Sequence, residues 1–563
     1  MSFQISQRDV LGRIGIFETK SGKLETPALF PVVNPLAQEI SPRIMFERLG
    51  CKSLITNAYL IRRRAGNAGV TDIHDFLDFP GVIATDSGAY QILRYGEVEI
   101  RPLEVIQYQE SIQTDIGVIL DMPTGSRASK AHATETVKET IRRADEAQKA
   151  ITRRDIAWVG PIQGGTFPDL VAYSAREMAK RGFDIYALGS PTEVMEQYLF
   201  ADLADMIFAA KTNLPSSTPF HLFGAGHPFM LAFAVAFGCD LFDSAAYILY
   251  ARRGRYLTSA GTLNLAQMEY FPCRCGACIN TNPADVRLRS MIERTRFLAE
   301  HNLSACLQEI GTIKEAIVEG RLWELVEARC RTHPSLLEGL RRIKEHKCHM
   351  TRGVPSTKRK GILFFDSTSL QRPEHVMYLE KLAGDYEPPK AATTALLIPA
   401  TRQGPKDRAS MHMGLTNLGR HVHVCTYSPP YGIVPSELED TFPFMHTQAP
   451  EEPDPETLKA MADTVRIYLT KHRGYRSLVI VHSSKDWQTR FARMCNHICR
   501  GLQVRFSSWS DHELSNLRIE ILGNQKGYLG KTITRKLTKK EIVGFTSAHS
   551  QERRLGKTAR LRY

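Results

Sequence analysis

Three observations predict an α/β fold built on a TIM (β/α)8 barrel. Short apolar runs recur through the first two-thirds of the chain, amphipathic stretches separate them, and most runs close on glycine, an amide or a carboxylate. Strands joined through helices pair in parallel, and eight parallel strands close into a barrel. The runs are "PALFPVV", "SLITNAYLI", "GVIATDSG", "IGVILDMP", "IAWVGPIQGG", "FDIYALGS", "TPFHLFGAG" and "CDLFDSA". Between them, Pro102–Thr114, Lys130–Arg153 and Asp169–Arg181 read as helices.

Barrel chemistry sits at the carboxyl ends of the strands. Here those ends carry Asn57, Asp86-Ser87-Gly88, Asp121, Gln163-Gly164-Gly165, Gly189-Ser190, Gly224-Ala225-Gly226 and Asp243. A single Asp at such a place is commonly a helix cap. Three at one rim, with a glutamine and glycine turns, point instead to a site.

After the eighth run comes "FPCRCGACI", and "EHNL" follows on a helical stretch. Cys273, Cys275 and Cys278 with His301 make a three-thiolate, one-imidazole set. Such a set closes a tetrahedral structural zinc site and leaves no open position for catalysis. One Zn2+ per chain is expected, held in a subdomain of about residues 265–350. His421, His423 and Cys425 alternate along a later run and read as strand residues rather than ligands.

A polar, basic stretch at "HMTRGVPSTKRKG" (349–361) marks a boundary. It divides a barrel with its zinc subdomain (1–350) from a smaller α/β domain (361–515). The strands of that second domain are "GILFFDS", "ATTALLIPA", "HVHVCTYS", "RSLVIVHSS" and "LQVRFSS", with a helix over Asp454–His472. A basic tail (516–563) ends the chain; from Gln525 onward it holds eleven Lys and Arg against two Glu. The formal net charge of +13 favours polyanionic partners, nucleic acid above all. The amino terminus has no apolar signal core, and the longest apolar run, near Met230–Phe242, is too short to cross a bilayer. The expectation is a cytoplasmic protein with no membrane contact.

Paired carboxylates across one rim suit displacement at a sugar anomeric carbon. One attacks and the other handles the leaving group's proton. A nucleotide substrate would have its base flipped out and read along the Watson–Crick edge. Asp121, Gln163 and the Gly189 backbone have the groups for that edge, and Tyr90 offers a stacking face.

The motifs "DSGAYQ" (86–91), "IQGG" (162–165), "HLFGAGHP" (221–228), "DLFDSAAY" (240–247) and "CRCGAC…HNL" resemble the tRNA-guanine transglycosylases of the archaeal type, in order and spacing, to about residue 350. The resemblance implies a pentosyltransferase of the archaeosine pathway. It would exchange guanine at position 15 of the tRNA D-arm for 7-cyano-7-deazaguanine through a covalent Asp–ribosyl intermediate. Carried over by motif, Asp243 is the nucleophile and Asp86 the general acid/base. Asp121 and Gln163 read the base, Ser87, Tyr90 and Gly189 complete the pocket, and the zinc is structural. A homodimer is also implied. Arg252, Arg253 and Arg255 are candidate phosphate contacts.

The chain departs from the family pattern in places. Tyr90 stands where Phe is usual, and "LGSPTEV" puts Ser190 and Pro191 in the loop that bears on base selectivity. The RNA-binding PUA pattern of the full-length archaeal enzymes is not evident, so either the basic tail takes over part of that role or, the preferred reading, a separate PUA-bearing subunit joins the complex. Two other readings stay open: an archaeosine synthase-like paralogue acting on the inserted base, and a non-catalytic tRNA-binding subunit.

Overall fold

A computed structural model of the 563-residue chain describes residues 2–65, 69–88, 101–355, 357–400, 418–483 and 485–510. Tyr90 and the basic tail 516–563 lie outside the described residues. The described chain packs as two compact units, one of Met1–Glu387 with Thr426–His472 and one of Pro388–Cys425 with Arg473 onward.

The first unit opens with an antiparallel meander of β1 (Phe3–Asp9), β2 (Gly12–Thr19) and β3 (Gly22–Thr26). No apolar run announced this sheet, because β1 alternates largely exposed polar residues and only one of its faces packs. Its inward side chains, Phe17 and Leu24, join the barrel interior at the amino-terminal end.

The barrel strands are β4 (Ala28–Pro31), β5 (Ser53–Asn57), β6 (Val82–Asp86), β7 (Ile116–Val118), β8 (Ala157–Ile162), β9 (Ile185–Leu188), β10 (Phe220–Leu222) and β11 (Leu241–Ser244). They run in the order β4-β11-β10-β9-β8-β7-β6-β5. The ring closes where Val32 bridges Ile55 in parallel and the Val33 N–H donates to the Ile55 carbonyl at 2.8 Å. Each of the eight runs read from the sequence supplies one strand; "SLITNAYLI" leaves its strand at Asn57 and continues as the helix Ala58–Ala65.

The two-residue period of a strand sorts the core. Ala28 and Phe30, Val82 and Ala84, Ile116 and Val118, Ala157 and Val159, and Ile185 and Ala187 face inward as one cluster. Residues between them, such as Leu29, Trp158 and Tyr186, pack outward on the helices. At the amino end, Arg13 grips Asp240 through two hydrogen bonds of 2.7 Å, both side chains buried.

Beyond the barrel, a hairpin of β12 (Arg255–Thr258) and β13 (Gly261–Asn264) leads into the cysteine loop and then the helix Met291–Glu319. That helix starts at a capping box, with the Ser290 side chain bonded to the Glu293 N–H and the Glu293 carboxylate reaching back. "GILFFDS" contributes only a two-residue strand, β14 (Ile362–Leu363), before Asp366 caps a 3-10 turn. In the second unit, β15 (Thr394–Pro399) starts a parallel sheet, and β16 (Val422–Ser428) leaves that unit partway along its length. β17 (Tyr431–Pro435) and β18 (Thr447–Gln448) belong to the first unit, where β18 pairs with β14. β19 (Ser477–His482) and β20 (Arg505–Ser510) then extend the parallel sheet from β15. On β16, His423 bonds the Tyr475 hydroxyl at 2.5 Å and sits near Cys425 as buried strand residues do.

Candidate active site at the carboxyl mouth of the barrel

The strand ends named from the sequence converge on one mouth. Asp86 and Asn57 end neighbouring strands in direct register, and the Asn57 amide donates to Asp86 Oδ2 at 3.2 Å. Burial, then the charges of Asp121 and Asp243, push the Asp86 carboxyl up to about 7, while the Gly88 and Ser87 amides partly offset them. A carboxyl poised there exchanges a proton in either direction near neutrality. Ser87 beside it is buried, and its hydroxyl has no hydrogen-bond partner among the described residues.

Asp121 follows β7 and is buried against Gln163, whose Nε2 donates to Asp121 Oδ2 at 2.6 Å. Burial raises the Asp121 carboxyl, and the Gln163 hydrogen bond and the Arg143 charge work against that rise. Arg143 also donates to the Asp121 carbonyl at 2.8 Å, tying the strand end to the helix Lys130–Ala150.

At its other end, Gln163 Oε1 accepts from the Thr124 N–H at 3.0 Å and the Ser190 hydroxyl at 3.1 Å. A backbone N–H only donates, so the orientation of this amide is fixed. What remains for a ligand is one amide N–H beside a carboxylate, an edge that complements a purine-like acceptor and donor. Gly189 makes room for it, since a Cβ there would stand 2.2 Å from Gln163 Nε2. Ser190 holds φ at 60° although it is not glycine.

Asp243 is the penultimate residue of the Leu241–Ser244 strand. Its Oδ1 accepts from His221 Nε2 at 2.9 Å and from the Gly224 N–H at 3.0 Å. His221 lay inside a quoted motif with no role attached. Its signal was positional: an inward-facing strand residue beside an acidic strand end. The three candidate phosphate contacts, Arg252, Arg253 and Arg255, are all exposed, and Arg252 is engaged by Glu39 through its Nε at 2.7 Å.

Cys273, Cys275, Cys278 and His301 bring their ligand atoms within 4.8 Å of one another, a group that could hold a metal ion. His301 Nε2 lies 2.9 Å from the Leu257 carbonyl. A carbonyl only accepts, so the ring proton sits on Nε2 and Nδ1 turns its lone pair to the sulfurs, 3.5 Å from Cys278 and 3.6 Å from Cys275. The Tyr256 ring stacks on the imidazole at 3.5 Å, and Asn302 bonds the hairpin backbone at Leu257 and Arg255 and the Tyr247 carbonyl of the preceding helix. The donor set and its locked tautomer fit a closed metal site.

A parallel eight-stranded barrel with carboxylates and an amide at its carboxyl mouth, followed by a Cys3His loop, defines the class: a barrel whose polar groups gather where enzymes of this fold carry their sites. Comparison with known proteins narrows it. The family described as "Queuine tRNA-ribosyltransferase" matches residues 9–335, and a "Domain of unknown function (DUF5591)" matches residues 376–525. The tRNA-guanine(15) transglycosylase of Sulfolobus acidocaldarius is 39% identical over 491 residues, 86% of this chain and 95% of that protein. That of Pyrobaculum aerophilum is 42% identical over 468 residues, 82% and 92% of the two chains. That of Archaeoglobus fulgidus is 38% identical over 488 residues, 86% and 96%. The chain belongs to the queuine tRNA-ribosyltransferase family.

Proposed function

We propose that this chain is a tRNA-guanine(15) transglycosylase, which exchanges the encoded guanine of the tRNA D-arm for 7-cyano-7-deazaguanine. The observation that carries the reading is the division of labour at the mouth. Asp243 is held by two donors on one side, and Asp86, with a proton to give near neutrality, stands on the other. Relatives that this chain matches over most of their length bear that name.

In the proposed reaction the Asp243 carboxylate attacks C1′ of the target nucleotide. The bond from C1′ to the base nitrogen breaks, its electron pair goes to guanine, and Asp86 supplies the proton that neutralises the departing base. The incoming base then gives its ring proton to Asp86, its nitrogen attacks C1′, and the Asp243–C1′ bond breaks. The phosphodiester backbone is untouched throughout. Asp121 and Gln163 read the base edge, the Ser87 hydroxyl and Gly189 complete the pocket, and Tyr90 is assigned the stacking face.

We assign the metal as Zn2+, structural and one per chain, on the strength of three thiolates and one imidazole. A homodimer through this region is supported by Tyr270, Leu288, Met291 and Ile292, all large, apolar and exposed beside the cysteine loop. Residues 1–350 are proposed as the catalytic part, and 361–515 and 516–563 as parts that serve tRNA or a PUA-bearing subunit. Among the described residues no helix is long and apolar enough to cross a membrane, and we assign the chain to the cytoplasm, where its substrate is.

The test is incubation with unmodified tRNA and 7-cyano-7-deazaguanine, then nuclease mapping by mass spectrometry. The modified base at position 15 alone is the expected result. Conversion of a 7-cyano-7-deazaguanine already in the tRNA, without exchange, would favour the synthase-like paralogue instead.

A further inference from the structure

The two hydrogen bonds on Asp243 converge on one atom. His221 Nε2 and the Gly224 N–H both reach Oδ1, at 2.9 and 3.0 Å, and among the described residues no donor meets Oδ2. We propose that His221 is the positioning residue of the nucleophile: with the Gly224 amide it captures Oδ1 and leaves Oδ2 as the attacking oxygen. This rests on the transglycosylase reading and assigns a residue within it.

The barrel makes the pairing through register. His221 on β10 is the partner of Leu241 on the parallel strand β11, and Asp243 lies one two-residue period further on, so both side chains point to the same face. The imidazole is buried, with Phe223 at 4.7 Å on one side and Phe30 stacked at 6.0 Å on the other. Phe30 is itself the register partner of Asp243, so the same strands that position the acid also fix the ring. An ionised carboxylate only accepts, which requires the His221 proton on Nε2. The Gly224 amide is aimed by a left-handed turn at φ +69°, where a Cβ would stand 2.4 Å from the Thr192 hydroxyl.

Chemically, the lock acts in both halves of the exchange. When Oδ2 bonds to C1′ and the base leaves with its electron pair, Oδ1 becomes the carbonyl oxygen of the ester. In the second half the Oδ2–C1′ bond breaks with its electron pair returning to the carboxylate. Donors already in place on Oδ1 then stabilise the returning charge without rearrangement. Free rotation of the carboxylate would present either oxygen and lose that advantage.

The experiment compares wild type with His221→Phe, which keeps a ring and removes the donor, and with His221→Gln, whose amide nitrogen reaches the place of Nε2. The readouts are kcat and KM for guanine exchange and the yield of covalent tRNA adduct in denaturing gels. The expected result for Phe is a fall in kcat of about 100-fold, the scale of a misplaced reacting group, with KM for guanine nearly unchanged and Gln recovering most of the rate. Should the Phe variant not fold, His221→Asn, too short to reach Oδ1, is expected to show the same loss against Gln. Full activity in Phe or Asn, or a loss carried by KM alone, would overturn the assignment of His221. A wild-type chain that exchanges no base would overturn the underlying reading instead.

Discussion

Gln163 donates to the buried Asp121 carboxylate at 2.6 Å while the Thr124 N–H, at 3.0 Å, fixes the other end of its amide. The edge proposed to read the base is therefore preset before any ligand arrives, and Gly189 is what leaves space for the Gln163 amide. Gly189→Ala places a methyl 2.2 Å from Gln163 Nε2 and must displace the amide. The expected outcome is a loss of about 10- to 100-fold in kcat/KM for guanine, as for a site whose buried polar groups no longer meet their ligand. Circular dichroism should show the barrel retained, and wild-type kinetics in this variant would remove Gly189 from the site.

Asp86 gives a pH prediction with a definite sign. Its carboxyl is raised from 3.8 to about 7, by burial first and then by Asp121 and Asp243. As the proposed acid of the first half-reaction it must be protonated, so single-turnover adduct formation should fall tenfold per pH unit above about 7. For stability, the folded chain holds this proton between about pH 4 and 7 whereas the unfolded chain has lost it. Stability from this group is thus highest below about pH 4 and declines as pH rises to about 7. Asp86→Asn removes the decline, and should melt higher than wild type by about 2–4 °C at pH 8 and not at pH 4.

Metal removal should act on structure before chemistry. The cysteine loop and the helix carrying His301 share one ligand group, with Tyr256 stacked on the imidazole. Metal analysis is expected to find one zinc per chain, and chelation or Cys278→Ser should loosen the β12–β13 hairpin and lower Tm. Loss of exchange with no change in Tm would contradict a structural site.

The opposite end of the barrel predicts the reverse pattern. Arg13 and Asp240 form a buried two-bond pair at the amino end, remote in role from the chemistry. Arg13→Ala leaves the buried Asp240 with the Phe220 N–H at 2.8 Å and, as a cation, Lys211 at 3.7 Å, and should cost about 3–5 kcal/mol in denaturant unfolding. At a temperature where the variant is folded, KM for guanine should match wild type.

The barrel was legible because each strand is an apolar run closed by a polar end, and the same ends named Asp86, Asp121, Gln163, Gly189 and Asp243 as candidates. The Cys3His group was legible because three ligands lie within six residues of sequence. The meander at the amino terminus was not, since Phe3–Asp9 buries too little to leave an apolar trace. His221 was missed for a different reason: its meaning lies in a cross-strand contact with Asp243 that exists only once the register of β10 and β11 is set. Arg252, a candidate phosphate contact, is engaged by Glu39, 213 positions away in sequence, a pairing that only the fold brings about.

The central claim is tested most directly by incorporation of radiolabelled guanine into unmodified tRNA by this chain alone, with Asp243→Ala alongside. The account predicts label at position 15 with wild type and none with the variant, which should still bind tRNA. Equal incorporation by the variant would contradict the assignment of Asp243, and none by either, despite tRNA binding, would contradict base exchange by this chain alone.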